Sequence, residues 1–341
     1  MLKNRILTMI TVCLCSVLLL AGCGNNSSVS DKEEKISIVC TTFPQYDWVR
    51  EIIGDNAEKF DVTLLLDNGV DLHSYQPTVD DITKISAADI FIYVGGESDE
   101  WAEDAIKEAA NNEMQVINLM DILGEQVKTE EIVEGMESEH EKEDETEHDG
   151  EHAGEEGHDH EEEEYDEHIW LSLKNAKVCV NAIGEAIKST DQEHAAEYDA
   201  NASAYIGELE ALDKQYEEMV TSAKFDTVLF GDRFPFRYLV DDYGLKYYAA
   251  FVGCSAETEA SFETITFLAG KTDELGLGNI LVIESSNHQI AETIRQNTVT
   301  KDQNILELNS IQSVTDHELE NGFTYLKAMQ ENLEVLRQAL N

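Results

Sequence analysis

Residues 36–53 read ISIVCTTFPQYDWVREII and contain a strand pattern followed by a helix pattern, an arrangement that recurs along the chain. The first six of these residues form a short apolar run of the kind found in buried strands. Pro44 then stands where a helix favours proline, in its first turn, and apolar residues follow at helical spacing as far as Ile53. The stretch therefore predicts a buried strand followed directly by a helix.

The same alternation of strand and helix recurs on both sides of a long helical pattern at residues 195–222. Alternation at these lengths is typical of a mostly parallel sheet covered by helices. We therefore predict an α/β fold with two strand–helix lobes, at 36–194 and 223–341, joined by one long helix, with a ligand site in the cleft between the lobes. Further strands are predicted at 60–66, 89–94, 115–118, 227–230, 246–250, 279–283 and 304–307, and helices of the second lobe at 234–243, 257–274, 289–296 and 316–340.

The N-terminus predicts export and lipid anchoring. A basic start with Lys3 and Arg5 precedes an apolar run, too short to span a membrane comfortably, that ends in Leu20-Ala-Gly-Cys23. This pattern matches the bacterial lipobox, in which the cysteine is acylated after cleavage. We predict a signal peptide at 1–22, lipidation of Cys23, a polar tether at 23–35, and a location on the outer face of the bacterial cytoplasmic membrane.

Charge and cysteine content narrow the class of protein. The formal net charge is −48, which repels nucleic acid and attracts cations, so a nucleic-acid partner is excluded. Beyond Cys23 the chain keeps Cys40, Cys179 and Cys254, and this odd number requires no disulfide. We expect Cys254 to be a small buried residue, with metal ligation as the alternative.

An acidic segment at residues 130–167 interrupts the pattern of strands and helices. It has no apolar period and is predicted to be disordered in the absence of ions. Histidine among carboxylates suits zinc, nickel or copper, so we predict low-affinity metal capture; the alternative is a solvated acidic linker with incidental histidines. The capturing residues would be His140, His148, His152, His158 and His160.

Two further histidines lie in segments that flank predicted elements. His73 follows a buried strand in the loop Gly69–Thr78, and His168 directly precedes the apolar residues that follow the acidic segment. Neutral imidazole is the commonest zinc ligand, although a single loop histidine is more often solvated or hydrogen bonded. Both are candidate ligands of one site.

The lipobox, the two histidine segments and the two-lobe layout together resemble the zinc- and manganese-binding lipoproteins of ABC importers. The segment around His73 is similar to the family pattern Gly-x-Asp-Pro-His-x-Tyr-x-Pro-Thr, with Leu72 in place of proline. The segment around His168 is similar to Asp-Pro-His-x-Trp-Leu, with Glu167 in place of proline. The resemblance implies that both histidines bind metal, that the linking helix is rigid, and that the partners are a permease and its ATPase.

These features predict a monomeric receptor that binds zinc and has no enzymatic activity. The histidine-rich segment favours zinc (Zn²⁺) over manganese (Mn²⁺) or iron, which stay as alternatives. A second alternative is a metal buffer or adhesin that acts mainly through that segment. A hydrolase is not favoured, because the chain has no His-Glu-x-x-His or comparable signature.

The third ligand is where the sequence departs from this family. Arg233 stands where the resemblance places a histidine or glutamate, and arginine has no lone pair to offer a metal. We therefore consider Asp232 and Glu284 as further ligands, or an ion pair between Arg233 and Glu284. The family's last ligand, an aspartate, is replaced near Asn309 and Ser310.

Overall fold

The computed structural model describes residues 35–137, 164–255 and 259–341. The predicted signal peptide, Cys23 and the five histidines of the acidic segment lie outside these ranges. Within them, no helix combines the length and the apolar character needed to cross a lipid bilayer.

The first half of the chain forms a four-stranded parallel sheet. Strand β1 (Ile36–Cys40) is a central strand, paired with β2 (Phe60–Leu64) on one side and β3 (Ile90–Tyr93) on the other. Strand β4 (Gln115–Asn118) pairs with β3 and completes the order β2-β1-β3-β4. All four strands run in the same direction, so the loops that carry candidate ligands leave the sheet at the same edge.

Helices cover this sheet, as the alternating pattern predicted. The helix after β1 begins at Phe43, and Thr42 and Gln45 form a capping box at its start. The helices of this half are α1 (Phe43–Ile53), α2 (Val79–Ala87), α3 (Trp101–Lys107), α4 (Leu119–Leu123) and α5 (Leu173–Thr190).

A single helix, α6 (Ala195–Ser222), then connects the two halves as predicted. Its 28 residues correspond to a length of about 42 Å. The amide of Asn201 donates to the carbonyl of Ile52 in the first half at 3.0 Å, and the hydroxyl of Tyr216 donates to Met329 O at 2.6 Å. The helix is therefore fixed to both halves by hydrogen bonds.

The second half contains shorter parallel strand pairs. Phe230 lies between two of them, because its N–H donates to Tyr248 and a parallel bridge joins it to Leu281. The strands are β5 (Thr227–Leu229), β6 (Arg233–Phe234), β7 (Lys246–Tyr248), β8 (Phe251–Val252), β9 (Asn279–Ile283) and β10 (Asn304–Leu308), paired as β5-β7, β6-β8 and β9-β10. The helices are α7 (Arg237–Tyr243), α8 (Phe262–Leu275), α9 (Gln289–Asn297), α10 (Asp316–Glu320) and α11 (Tyr325–Ala339).

Hydrogen bonds also join the two halves of the chain directly. The indole N–H of Trp170 donates to Ser310 O at 2.7 Å, and the buried hydroxyl of Tyr325 donates to Trp170 O at 2.6 Å. The backbone N–H of Tyr325 donates to Asp47 on α1 at 2.8 Å. The predicted α/β fold with two strand–helix lobes and a long connecting helix is confirmed, and the lobes belong to one compact unit from Lys35 to Asn341.

Four predicted boundaries are wrong. The helix predicted from residue 234 begins at Arg237, because Arg233 and Phe234 form strand β6. Residues 130–137 and 164–167 are part of the folded body, because Thr129 bridges to Tyr165 and Glu130 N–H donates to Glu164 O. The predicted helix 316–340 is two helices, separated where Gly322 adopts a φ of +76°. The helix predicted from residue 257 begins at Phe262, capped by Ser261.

Candidate metal centre

His73 lies in a short 3-10 helix, Leu72–Ser74, after the first sheet's β2 strand. The carboxylate of Asp71 accepts from the backbone N–H of His73 at 3.0 Å and so caps this turn. The imidazole Nδ1 lies 2.9 Å from Ser98 Oγ and 3.4 Å from a carboxylate oxygen of Glu167. These neighbours fix the ring and leave Nε2 as the free coordinating atom.

His168 lies in the segment that precedes α5 and is fully buried. One oxygen of Asp166 accepts from the backbone N–H of His168 at 2.9 Å and lies 3.0 Å from its Nδ1. Burial disfavours protonation, but the nearby carboxylate of Asp166 outweighs it and raises the pKa of His168. A carboxylate on Nδ1 directs the Nε2 lone pair away from Asp166, which is the tautomer that binds metals.

The two imidazoles converge on one point. Their Nε2 atoms are 3.2 Å apart, and the ring centroids are separated by 5.1 Å. Two nitrogens bound to a tetrahedral zinc ion at normal bond lengths would be roughly 3.3 Å apart. The fold therefore brings these two candidate ligands to a separation that suits one shared zinc ion.

Cys254 reaches the same point from the second half of the chain. Its sulphur and one nitrogen of each imidazole all lie within 4.8 Å of one another. Burial, followed by the negative charges of Glu130, Asp166 and Glu167, raises the pKa of the Cys254 thiol well above its ordinary value. Our expectation of a small buried residue missed this contact, since sequence spacing alone does not show which loops face each other.

Asp232 and Glu284, the further ligands considered from sequence, lie outside this group. Glu284 uses both oxygens on Ser310, accepting from its N–H at 2.8 Å and its hydroxyl at 2.6 Å. Asp232 accepts from the backbone N–H of Arg233 at 2.8 Å and lines a second cavity of about 350 Å³, which His73 also borders. Both carboxylates therefore serve the local structure of the second half.

Arg233 pairs with Asp71 and not with Glu284. The guanidinium donates to Asp71 Oδ2 at 2.7 Å and to the carbonyl of Ser255 at 3.3 Å. Burial of Asp71 opposes ionisation, but Arg233 more than compensates and lowers the pKa of that carboxyl. Arginine at this position thus connects the segment that carries His73 to the loop that carries Cys254.

Gln312 is a site residue that sequence reasoning missed. It is buried, and its amide donates to Asp71 Oδ2 at 2.8 Å while its oxygen lies 3.3 Å from Nε2 of His168. Gln312 lies two residues after Ser310 and so falls beside, not at, the place where the family carries its last ligand. A comparison of motifs therefore does not point to it. The oxygen of Gln312 lies next to the metal-facing edge of His168.

Carboxylates surround the site without entering the group of ligand atoms. Burial works against ionisation of Glu167, but hydrogen bonds from His73 and Ser98 lower its pKa. Gly96, at a φ of +86°, allows this approach, because any side chain there would collide with the carboxylate of Glu167. The surrounding negative charge favours a bound cation.

A cavity of about 540 Å³ opens beside His73 and Cys254. Glu130 and Glu164, whose backbones are hydrogen bonded, lie in its wall. Glu164, where the described chain resumes after the acidic insertion, therefore lies at this opening, whereas Glu137 on the other side of the insertion is hydrogen bonded to Ala250. The cavity is lined by His73, Tyr75, Gln76, Glu97, Ser98, Glu100, Trp101, Glu130, Ile132, Glu164, Tyr165, Glu167, Val252, Cys254 and Ser255.

Two α/β lobes on one long helix, with imidazoles converging in the cleft between them, define a class of two-lobed proteins with a candidate metal site between the lobes. Comparison with known families identifies that class. The chain belongs to the family described as "zinc-uptake complex component A, periplasmic" (ZnuA), whose profile matches residues 38–339.

Individual relatives cover most of the chain. The high-affinity zinc uptake system protein ZnuA of Bacillus subtilis is 30% identical over 326 residues, which cover 95% of this chain and 94% of that protein. The zinc-binding lipoprotein AdcA of Streptococcus pneumoniae is 31% identical over 333 residues, and the match spans only 60% of its length.

Solved structures show the same fold. The metal-dependent lipoprotein YcdH of Bacillus subtilis superposes with a TM-score of 0.69 at 25% identity, covering 90% of this chain and 99% of that one. The Zn(II)-bound ZnuA-like domain of Streptococcus pneumoniae AdcA superposes with a TM-score of 0.67 at 24% identity, over 90% and 99% of the two chains. The second likeness supports the fold alone.

Proposed function

We propose that this protein captures a zinc ion through His73 and His168 and delivers it to an ABC importer. The observation that carries the proposal is the 3.2 Å separation of the two Nε2 atoms. With Nδ1 of each ring next to a hydroxyl or carboxylate, both Nε2 lone pairs face the same point, and a cation is what such an arrangement stabilises.

Zinc is the metal that these donors favour. Imidazole suits zinc, whereas manganese prefers carboxylate, carbonyl and water oxygens. The carboxylates near the site are engaged with the imidazoles or with backbone groups, as with Asp166 on His168 and Glu167 on Ser98. The names of the relatives, which are zinc-binding and zinc-uptake proteins, support the same choice.

Lipid anchoring and delivery complete the proposal. Acylation of Cys23 would hold the protein on the outer face of the cytoplasmic membrane as a monomer, within reach of the permease and its cytoplasmic ATPase. Zinc would be collected first at low affinity by the acidic segment, after which the chain re-enters the fold at Glu164 in the cavity wall. The residues of this first step are His140, His148, His152, His158 and His160.

Calorimetric zinc titration tests the cleft site. The protein would begin after Cys23, and residues 138–163 would be replaced by a short glycine–serine linker so that the packed residues on both sides are kept. One tight site is expected, lost in His73→Ala and in His168→Ala and retained in His317→Ala, a control on exposed helix α10. Weak binding that ignores both site substitutions would overturn the proposal.

A further inference from the structure

Cys254 has no role in the function proposed so far, although its sulphur lies with the two imidazole nitrogens. We propose that the thiolate of Cys254 is the third metal ligand and makes this cleft a histidine–cysteine site selective for soft and borderline metal ions. The proposal rests on zinc capture by His73 and His168 and names the ligand that completes it.

The loop that carries Cys254 is held in the site by hydrogen bonds on two sides. Its backbone N–H donates to the carboxylate of Glu130 at 2.9 Å. On the far side of the loop, Arg233 donates to the carbonyl of Ser255 at 3.3 Å. The sulphur is therefore held at the cavity by contacts from both halves of the chain.

Gly253 brings this loop against His168. A Cβ at position 253 would lie 3.2 Å from Cε1 of the His168 ring and 3.0 Å from Phe234 O. The absence of a side chain thus allows the closest approach of the backbone to a metal ligand. This contact is a second, independent sign that the fold directs the loop toward the two imidazoles.

Ligand geometry requires only a small further movement. In a tetrahedral zinc site, a bound sulphur and a bound nitrogen are roughly 3.5 Å apart, and the three atoms here lie within 4.8 Å. A shift of about 1 Å in the loop, or a change in the Cys254 rotamer, would complete the set. The fourth position is open to the oxygen of Gln312, which is 3.3 Å from His168 Nε2, or to water.

The same loop explains how the site tolerates arginine at position 233. The guanidinium cannot bind a metal, but it holds both the His73 segment, through Asp71, and the Cys254 loop, through Ser255. The third ligand has thus moved from this position to the next loop. On binding, the thiol gives its proton to solvent and the sulphur coordinates as a thiolate.

Thiolate ligation changes which ions the cleft accepts. Soft sulphur donors favour zinc, cadmium and cobalt over manganese, whose preferred ligands are oxygens. Cys254 is then the residue that determines specificity. Its replacement by alanine is expected to weaken zinc binding by about 100-fold or more and to weaken manganese binding far less.

Cobalt(II) spectroscopy of the full chain, purified in detergent, tests this ligand. A cysteine ligand gives an intense sulphur-to-cobalt charge-transfer band in the near ultraviolet, which histidines of the acidic segment cannot produce. We expect this band in the unmodified protein and in Cys179→Ala, whose thiol is buried in α5. We expect its loss in Cys254→Ala and in the near-isosteric Cys254→Ser, with circular dichroism confirming that both variants fold.

The outcomes separate this inference from the function on which it rests. Tight cobalt and zinc binding that depends on His73 and shows no sulphur band would overturn Cys254 as a ligand and leave zinc capture standing. A sulphur band that persists in Cys254→Ser would also overturn it. Absence of any ion bound by the two histidines would overturn both proposals.

Discussion

Arg233 and Asp71 form an ion pair of 2.7 Å that crosses from the second half of the chain to the first. Asp71 also caps the turn of His73 at 3.0 Å. One carboxylate therefore connects the guanidinium to a candidate metal ligand through two short contacts. Arg233, which stands where the family pattern has a ligand, is thus placed to position His73 through Asp71.

Arg233→Met is expected to weaken zinc binding about 10-fold, since removal of groups that orient metal ligands typically costs this much or more. The unpaired Asp71 and the released Ser255 carbonyl should also lower the free energy of unfolding by about 1–2 kcal/mol, between the effects typical of exposed and buried pairs. Calorimetry and thermal unfolding measure the two effects. Arg233→Lys keeps the charge but loses the forked contact, so an intermediate affinity is expected; unchanged affinity in both variants would contradict the positioning role.

Gly253→Ala is expected to weaken zinc binding by about 10-fold, because the added Cβ would displace the Cys254 loop from the His168 ring. The matched control is Gly270→Ala in helix α8, where an added Cβ meets no atom within 4 Å. That control should leave zinc affinity unchanged and raise stability by about 0.5–1 kcal/mol, the usual gain of alanine over glycine in a helix. Equal zinc affinity in the two variants would contradict the close approach of the loop.

Asp166→Asn is expected to reduce zinc affinity by about 10- to 100-fold while the protein stays folded. The carboxylate 3.0 Å from His168 Nδ1 makes the imidazole a stronger donor, and the amide keeps the shape but not the charge. Calorimetry at fixed pH measures the change. A comparable loss in Asp226→Asn would count against it, because that carboxylate pairs with Lys246 and lines neither cavity beside the site.

Asp99 is expected to make stability fall as pH rises between about 4 and 7. Burial, opposed by hydrogen bonds from Val94 and Gly95 and assisted by the charge of Glu167, raises the pKa of Asp99 to about 7. In this interval the folded state keeps a proton that the unfolded state has released. The free energy of unfolding therefore falls by up to about 1.4 kcal/mol per pH unit. Urea unfolding of Asp99→Asn should show a smaller decline than the unmodified chain, and parallel curves would contradict the shift.

Tyr216→Phe is expected to lower the free energy of unfolding by about 1–2 kcal/mol, because it leaves the carbonyl of Met329 without its 2.6 Å partner in a buried position. Zinc affinity should be unchanged, since helix α6 supports the lobes without contacting the ligands. A large loss of affinity in a stable variant would mean that the helix acts on the site directly.

The fold class could be predicted because its strands and helices leave local patterns in the sequence. The apolar run of β1, the proline at the start of α1 and the long amphipathic pattern of α6 each depend on neighbouring residues only, so alternation alone predicted the α/β class. Predicted boundaries were wrong where a single glycine lets the backbone turn and ends a helix pattern, as at Gly322. They were also wrong where an acidic segment without apolar residues packs through backbone hydrogen bonds, as at Glu130.

The site was only half visible in the sequence. His73 and His168 lie in segments with a recognisable residue order, and their convergence follows from that order. Cys254 and Gln312 belong to no such pattern, because their role depends on which loops meet across the cleft. Composition and spacing do not show which loops meet. Asp232 was considered because it adjoins Arg233 in the sequence, and Glu284 because it is an acid that could pair with Arg233 in the cleft.

The backbone contacts on either side of the acidic insertion make that insertion interchangeable. Glu137 donates to Ala250 O and Glu164 accepts from Glu130, so both sides are fixed to the fold, and a doubling of the inserted length would add only about 0.6 kcal/mol of loop-closure cost. A fluorescent reporter could replace residues 138–163 without altering the sheet. Since Glu164 lies in the wall of the cavity that Cys254 also lines, such a graft would end beside the site and could convert occupancy into an optical signal.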